Sequence, residues 1–263
     1  MEARKSLGQH WLKDEATLEA ICEAADLGRN DSVLEIGPGL GDLTRQLVKR
    51  AGRVYAVELD DRLYETLKTN LIYPNLQLFH EDILKFDLGR LPRAYKVVAN
   101  IPYYLTSHLL RTLSESANPP LEITLLVQKE VAQRVAAQPG DMSLLAVSVQ
   151  LYYRPKLGPI VSADLFEPPP KVDSQVIILK QRVKQLFPGL DSRLYFRIVK
   201  AGFAGKRKKL RGSLAAGLRL DKVAADRLLE TADVSGDLRA QNLSLEDWHK
   251  LYKAYESNII EVS

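Results

Sequence analysis

The apolar run Val97-Val98-Ala99 leads directly into Asn100-Ile101-Pro102-Tyr103-Tyr104. A strand ending in such a turn brings an amide side chain, a backbone carbonyl and an aromatic ring to one point, and the fixed φ of Pro102 stiffens it. The Asn100 side-chain carbonyl and the Ile101 backbone carbonyl can accept the two N–H bonds of an exocyclic amine. Tyr103 can stack on the base that carries it, which is worth roughly 1–3 kcal/mol. The N6 amine of adenine needs such help, because its lone pair is delocalised into the ring. Two acceptors favour a more pyramidal nitrogen with its lone pair aimed at an electrophile. No strong general base is needed if the proton leaves after transfer, and in-line placement supplies much of the rate. A second ring, Phe166, stands in the stiff loop Phe166-Glu167-Pro168-Pro169-Pro170-Lys171-Val172-Asp173-Ser174. Two rings can sandwich an extruded adenine, so Asn100, Tyr103 and Phe166 are the expected catalytic residues.

The electrophile must be held nearby. Glu35-Ile36-Gly37-Pro38-Gly39-Leu40-Gly41 falls between a strand-like and a helix-like segment, and alternate glycines let backbone turn tightly and approach a ligand. Glu58 ends the next strand, where a carboxylate can accept both ribose hydroxyls about 20 residues beyond the glycines. Two cofactor classes share these features. A nicotinamide dinucleotide calls for G-x-G-x-x-G and a helix N-terminus facing a pyrophosphate. Here the pattern is G-x-G-x-G with Asp42 following at once, an acid that repels a pyrophosphate but is harmless near a sulfonium and an ammonium. Asp82, in His80-Glu81-Asp82-Ile83, can receive an adenine amine. The pattern points to S-adenosylmethionine, with Gly37, Gly39, Glu58 and Asp82 lining its site and S-adenosylhomocysteine as product.

The elements that position these residues alternate. Helical spacing is read over Ala16 to Ala25, Leu43 to Arg50 and Arg62 to Leu71. Short aliphatic strands are read at Ser32 to Ile36, Arg53 to Leu59, Leu76 to Phe79, Lys96 to Ala99 and Leu121 to Val127. Strands of that kind alternating with helices predict an α/β fold with a buried parallel sheet. Ser143 to Tyr153 suits either a strand or a buried helix. Pro155 to Val161 and Val176 to Lys180 read as further strands, and the prolines between them exclude regular structure there.

From Asp191 onward the pattern is helical, with apolar faces at Leu194, Ile198 and Val199, at Val223, Leu228 and Leu229, and at Leu245, Trp248, Leu251 and Tyr252. Pro188-Gly189 marks a linker. The expected domains are 1–185, carrying the cofactor and catalytic residues, and 186–263, helical. From Ser192 to Leu220 there are nine Lys or Arg and no Asp or Glu, densest at Lys206-Arg207-Lys208-Lys209-Leu210-Arg211. With no acid in the segment to pair along the helix, Lys206, Arg207, Lys208, Lys209 and Arg211 are expected to contact RNA phosphates, which fix position rather than sequence.

The whole chain sets bounds on these readings. It has 263 residues, 46% of them apolar, and a net charge of +4. That supports a large domain with a smaller appendage. A single cysteine, Cys22, excludes an intramolecular disulfide framework and any Cys-based metal cluster within one chain; no metal is expected. No stretch approaches the roughly 20 apolar residues that span a bilayer, and the N-terminus leads into no signal-like apolar region. A cytoplasmic monomer with no membrane partner is expected.

These residues resemble a known family, the small-subunit ribosomal RNA adenine dimethyltransferases, over nearly the whole length. The resemblance is carried by Lys5 to Leu12, Glu35 to Gly41, Val57-Glu58-Leu59-Asp60, Glu81-Asp82, Asn100 to Tyr103, Gln128-Lys129-Glu130-Val131, Phe166 to Ser174 and the basic segment Phe203 to Leu214. It implies a seven-stranded Rossmann-like methyltransferase sheet with a small all-helical C-terminal domain. It implies dimethylation at N6 of two adjacent adenosines in the 3′-terminal hairpin of 16S rRNA, on the immature 30S subunit, as part of ribosome biogenesis. It also implies that His10, Leu12, Gly37, Glu58, Asp82 and Asn100 contact the cofactor. The chain has His10-Trp11 where the family often has Asn-Phe, a change that keeps a polar group and an aromatic. Three rivals stand beside this reading: a large-subunit rRNA adenine methyltransferase of the macrolide-resistance type, a non-methylating assembly or transcription factor on the same fold, and a nicotinamide dehydrogenase.

Overall fold

The computed structural model describes residue 4, residues 9–205 and residues 207–262. Lys5 to Gly8 of the N-terminal motif and Lys206 of the basic run lie outside the described residues. The chain divides into two units, Met1–Gln133 with Tyr153–Gln181, and Arg134–Tyr152 with Arg182–Ser263.

The first unit is built on β2 (Ser32–Ile36), β3 (Arg53–Glu58), β4 (Leu76–His80), β5 (Lys96–Asn100), β6 (Glu122–Gln128), β7 (Tyr153–Val161) and β9 (Ser174–Gln181). Among the described residues they form one seven-stranded sheet in the order β4-β3-β2-β5-β6-β9-β7. The first five pair in parallel, while β9 runs antiparallel to both β6 and β7. α1 (Glu15–Ala24), α2 (Asp42–Arg50), α3 (Asp61–Asn70) and α4 (Thr106–Ser114) belong to this unit, and α5 (Lys129–Val135) follows β6. The chain order reverses between β2 and β5, so a crevice opens at their carboxyl ends, where ligands bind in sheets of this kind. Four strands end in succession along it: β4, β3, β2 and β5.

Local chemistry explains the elements. In α1 the buried side chains are Leu18, Ile21 and Cys22, the face read from the sequence, and the Asp14 side chain caps the first turn by accepting from Thr17 N at 2.8 Å. β7 is an edge strand with mostly exposed side chains, which is where Pro155 and Pro159 cost no ladder hydrogen bond. The ambiguous segment resolves into α6 (Leu144–Gln150), capped by the Ser143 side chain, followed by β7.

Two short strands escaped sequence reading. β1 (Trp11–Leu12) pairs antiparallel with β8 (Phe166–Glu167), Trp11 opposite Glu167 and Leu12 opposite Phe166. They tie the N-terminal segment to the proline-rich loop.

The second unit gathers α6 with α7 (Ser192–Phe203), α8 (Leu210–Leu218), α9 (Lys222–Thr231) and α10 (Leu245–Val262). Its core holds Tyr195, Ile198, Val199, Leu210, Leu214, Leu228, Leu229, Trp248, Leu251 and Tyr252. Met142, Ala146, Val147 and Leu151 join that core, so residues 134–152 belong with the helices although the expected first domain, 1–185, enclosed them. Val223, read as part of the α9 face, is 68% exposed. The buried set is Ala225, Leu228 and Leu229, the i, i+3, i+4 spacing from which Val223 is rotated away.

Candidate active site

The glycine turn follows β2 with Gly37, Gly39 and Gly41 all in the left-handed region, at φ +65°, +61° and +84°. At Gly41 an added Cβ would lie 2.7 Å from Leu71 Cδ1, so both conformation and space select glycine there. Gly37 N donates to Val57 O at 2.9 Å and Gly41 N to Pro38 O at 2.9 Å. The turn is fastened to β3 a second time, because Gly39 N donates to Glu58 Oε2 at 3.1 Å. Glu58 also accepts from Leu59 N at 2.9 Å and Asp60 N at 2.8 Å. Burial still pushes its carboxyl above the ordinary range, against those three donors.

Gly37, Gly39, Glu58, Asp82, Asn100, Tyr103, His10 and Leu12 all line one cavity of about 250 Å³. The structure therefore brings together every cofactor-site candidate and two of the three catalytic candidates. Asp82 accepts from Leu84 N at 3.0 Å through Oδ1, which leaves Oδ2 for another donor. Asn100 Nδ2 donates to the backbone carbonyl of His10 at 3.3 Å. That bond assigns the amide's orientation, and its carbonyl oxygen has no donor among the described residues. His10 Nδ1 donates to Pro168 O at 2.7 Å, and its ring lies 5.9 Å from that of Tyr103 at an interplanar angle of 20°. The Tyr103 hydroxyl meets Ser174 Oγ at 2.8 Å, and burial pushes its phenol above the usual range.

Phe166 stands apart from these residues. It is 4% exposed, does not line the cavity, and shares an apolar cluster with Leu12, Leu18, Leu43 and Val176. It lies in the β1–β8 pair, opposite Leu12, and the ring stacked nearest Tyr103 is that of His10. Three neighbours went unassigned in the sequence. Glu35 is buried on the cavity wall, its carboxyl pushed up to about 8 by burial and by the Glu58 and Asp42 charges. Its position at the end of a buried strand, just before the glycines, was the available signal. Trp11 sits with its pyrrole edge at Gly39, and its buried Nε1 has no partner among the described residues. Ser174 lay in the quoted loop motif without a role.

The basic run belongs to the second unit. Arg207, Lys208 and Lys209 are exposed. Lys209 pairs with Asp237 at 2.9 Å, and Arg211 lies against Asp226. Acids distant in sequence thus neutralise part of a run that has none of its own. The amides opening α8 are also occupied, Leu210 N by Leu238 O and Arg211 N by Gly236 O.

Among the described residues no group of His, Cys, Asp or Glu is placed to hold a metal ion, and no helix is long and apolar enough to cross a membrane.

The reversal of strand order, the glycine turn with its acidic partner and the shared cavity together define a methyltransferase dependent on S-adenosylmethionine. The residues present suit that cofactor: the carboxylate of Glu58, the spare oxygen of Asp82 and the orphaned indole donor of Trp11 all stand on its cavity. The chain belongs to the family described as ribosomal RNA adenine dimethylase, whose model matches residues 1–257. It is 44% identical over 263 residues to ribosomal RNA small subunit methyltransferase A of Dehalococcoides mccartyi (strain CBDB1), covering 98% of this chain and 90% of that one. It is 39% identical over 268 residues to the protein of that name from Shouchella clausii, covering 97% and 90%. Among solved structures it matches a dimethyladenosine transferase from Plasmodium falciparum at a TM-score of 0.81 and 27% identity, covering 94% of this chain and 98% of that one. It matches the 23S rRNA methyltransferase ErmE at 0.73 and 30%, covering 94% and 99%.

Proposed function

We propose that this protein dimethylates N6 of two adjacent adenosines in the 3′-terminal hairpin of 16S rRNA, acting on the immature 30S subunit in the cytoplasm. The observation that carries the reading is the meeting of the Asn100–Tyr103 turn and the glycine turn on one cavity at the sheet's switch point. The choice of small-subunit over large-subunit RNA is supported by relatives of 39–44% identity that carry the small-subunit name, against 30% for ErmE.

When bound, S-adenosylmethionine supplies an electrophilic methyl group. Glu58 accepts hydrogen bonds from the ribose, Asp82 receives the adenine amine of the cofactor, and Gly37, Gly39, His10 and Leu12 shape the remaining wall. Asn100 presents its carbonyl oxygen, fixed by its bond to His10 O, to one N–H of the target amine, and the Ile101 carbonyl takes the other. Tyr103 stacks on the target base, with His10 as the neighbouring ring. Phe166 acts from the core, seating Leu12 through the strand pair. The proton leaves the alkylated amine to solvent, so no side chain has to act as a strong base. Arg207 and Lys208 contact phosphates, with Lys209 and Arg211 joining if their acidic partners release them.

Incubation of purified protein with labelled S-adenosylmethionine and either immature 30S or 50S particles tests this, followed by mass spectrometry of rRNA fragments. Two adjacent dimethyladenosines in the 16S 3′ hairpin are expected. Label confined to 23S rRNA supports the large-subunit rival, and no label at all supports the non-methylating one.

A further inference from the structure

Tyr103 occupies a single 3₁₀ turn, Tyr103–Leu105, after Pro102. That turn fixes its backbone but leaves its side chain to be fixed by other groups. Two neighbours do so. The first is Ser174, whose Oγ meets the hydroxyl at 2.8 Å. Ser174 opens β9, is fully buried, and is held between Gln128 of β6 and Val161 of β7. Pairing on both sides within the sheet anchors its backbone. The second neighbour is the His10 ring.

The two restrain different motions. The phenolic oxygen lies on the Cβ–Cγ axis, so a bond at that oxygen fixes the direction of the axis and leaves rotation about it free. A neighbouring ring at a 20° interplanar angle restrains that rotation. A stacked base follows the ring, and the reach of its amine to the Asn100 and Ile101 carbonyls follows the base. Preorganisation of this sort depends on the supporting shell as much as on the contacting group.

We propose that Ser174 is a positioning residue for the target adenine, its hydroxyl setting the axis of the Tyr103 ring from the antiparallel arm of the sheet. The inference rests on the reading of Tyr103 as the stacking residue. Ser174→Ala, Tyr103→Phe and the double variant are compared for kcat on immature 30S particles, for cofactor affinity by calorimetry and for melting temperature. Each single change is expected to lower kcat roughly three- to tenfold, the worth of one neutral hydrogen bond. Cofactor affinity should be unchanged, and the double variant no slower than the slower single one. Ser174→Thr, which retains the hydroxyl, should recover most of the rate. Multiplying losses, a loss confined to cofactor affinity, or a wild-type rate in Tyr103→Phe would overturn the proposal. Should Ser174→Ala fail to fold, Tyr103→Phe alone decides, since it removes one oxygen from a half-buried ring. Transfer by the wild type with multiplying losses removes only this inference, whereas no transfer by the wild type removes the functional reading along with it.

Discussion

At the scale of single residues the account turns on orientation. In the proposed reading the Asn100 amide must turn its oxygen to the target, and the His10 carbonyl favours that orientation by accepting from its nitrogen. Asn100→Ala removes the acceptor, and with it about two orders of magnitude or more of methyl transfer. RNA binding, measured separately by filter retention, should be retained; near-normal turnover would remove the amine-positioning role. Glu35 gives a second expectation. Its carboxyl titrates at about 8 in the folded protein against 4.5 ordinarily, so the folded state holds a proton that the unfolded chain has released. The resulting stability is full below the unfolded value and is lost as pH rises through the folded one. Melting of the ligand-free protein should therefore move to lower temperature between pH about 5 and 8. Glu35→Gln should flatten that trend without abolishing it, because Glu58 is shifted in the same direction. Parallel trends in the two proteins would contradict the assignment.

At the scale of elements, the strands that build the crevice were legible because buried parallel strands announce themselves as short aliphatic runs. Ser32–Ile36 was read at its observed limits, and the strand that ends at Asn100 was read as Lys96 to Ala99 against an observed Lys96–Asn100. The burial of Phe166 was not legible in the sequence, for a physical reason. Its two-residue strand has no periodicity of its own and exists only through Leu12, far off in the sequence, while the adjoining prolines read locally as an exposed loop. The helix–strand ambiguity after Ser143 had the opposite cause, since a mostly apolar, partly β-branched segment shows little period to read. The glycine turn was legible in residue type but not in which glycine is constrained most. Gly41→Ala places a Cβ at φ +84° against the end of the Leu71 side chain. That should cost about 1–3 kcal/mol by strain and crowding, seen in thermal melting. No loss would mean the turn relaxes freely.

At the scale of the molecule, charge is the property that the sequence overstated. The basic run has no acid within it, yet Asp226 and Asp237 reach it through the fold of the second unit. Affinity for RNA should accordingly depend unequally on its members. Replacing Arg207 and Lys208 with Ala should weaken binding and reduce the slope of log affinity against log salt by roughly 0.7–0.9 for each phosphate no longer neutralised. Replacing Lys209 should change it less. An unchanged slope in the Arg207/Lys208 variant would place the RNA elsewhere. The division into two units assigns the cavity to one and this run to the other, so cofactor affinity should be indifferent to these changes.

The account as a whole is tested most directly by a crystal structure with S-adenosylhomocysteine and adenosine bound together. It predicts the adenosine N6 within about 3 Å of both the Asn100 side-chain oxygen and the Ile101 carbonyl, the base on the Tyr103 ring, and the sulfur of the product facing N6. An adenosine whose N6 is held by other residues, or a cofactor product lying away from the glycine turn, would contradict it.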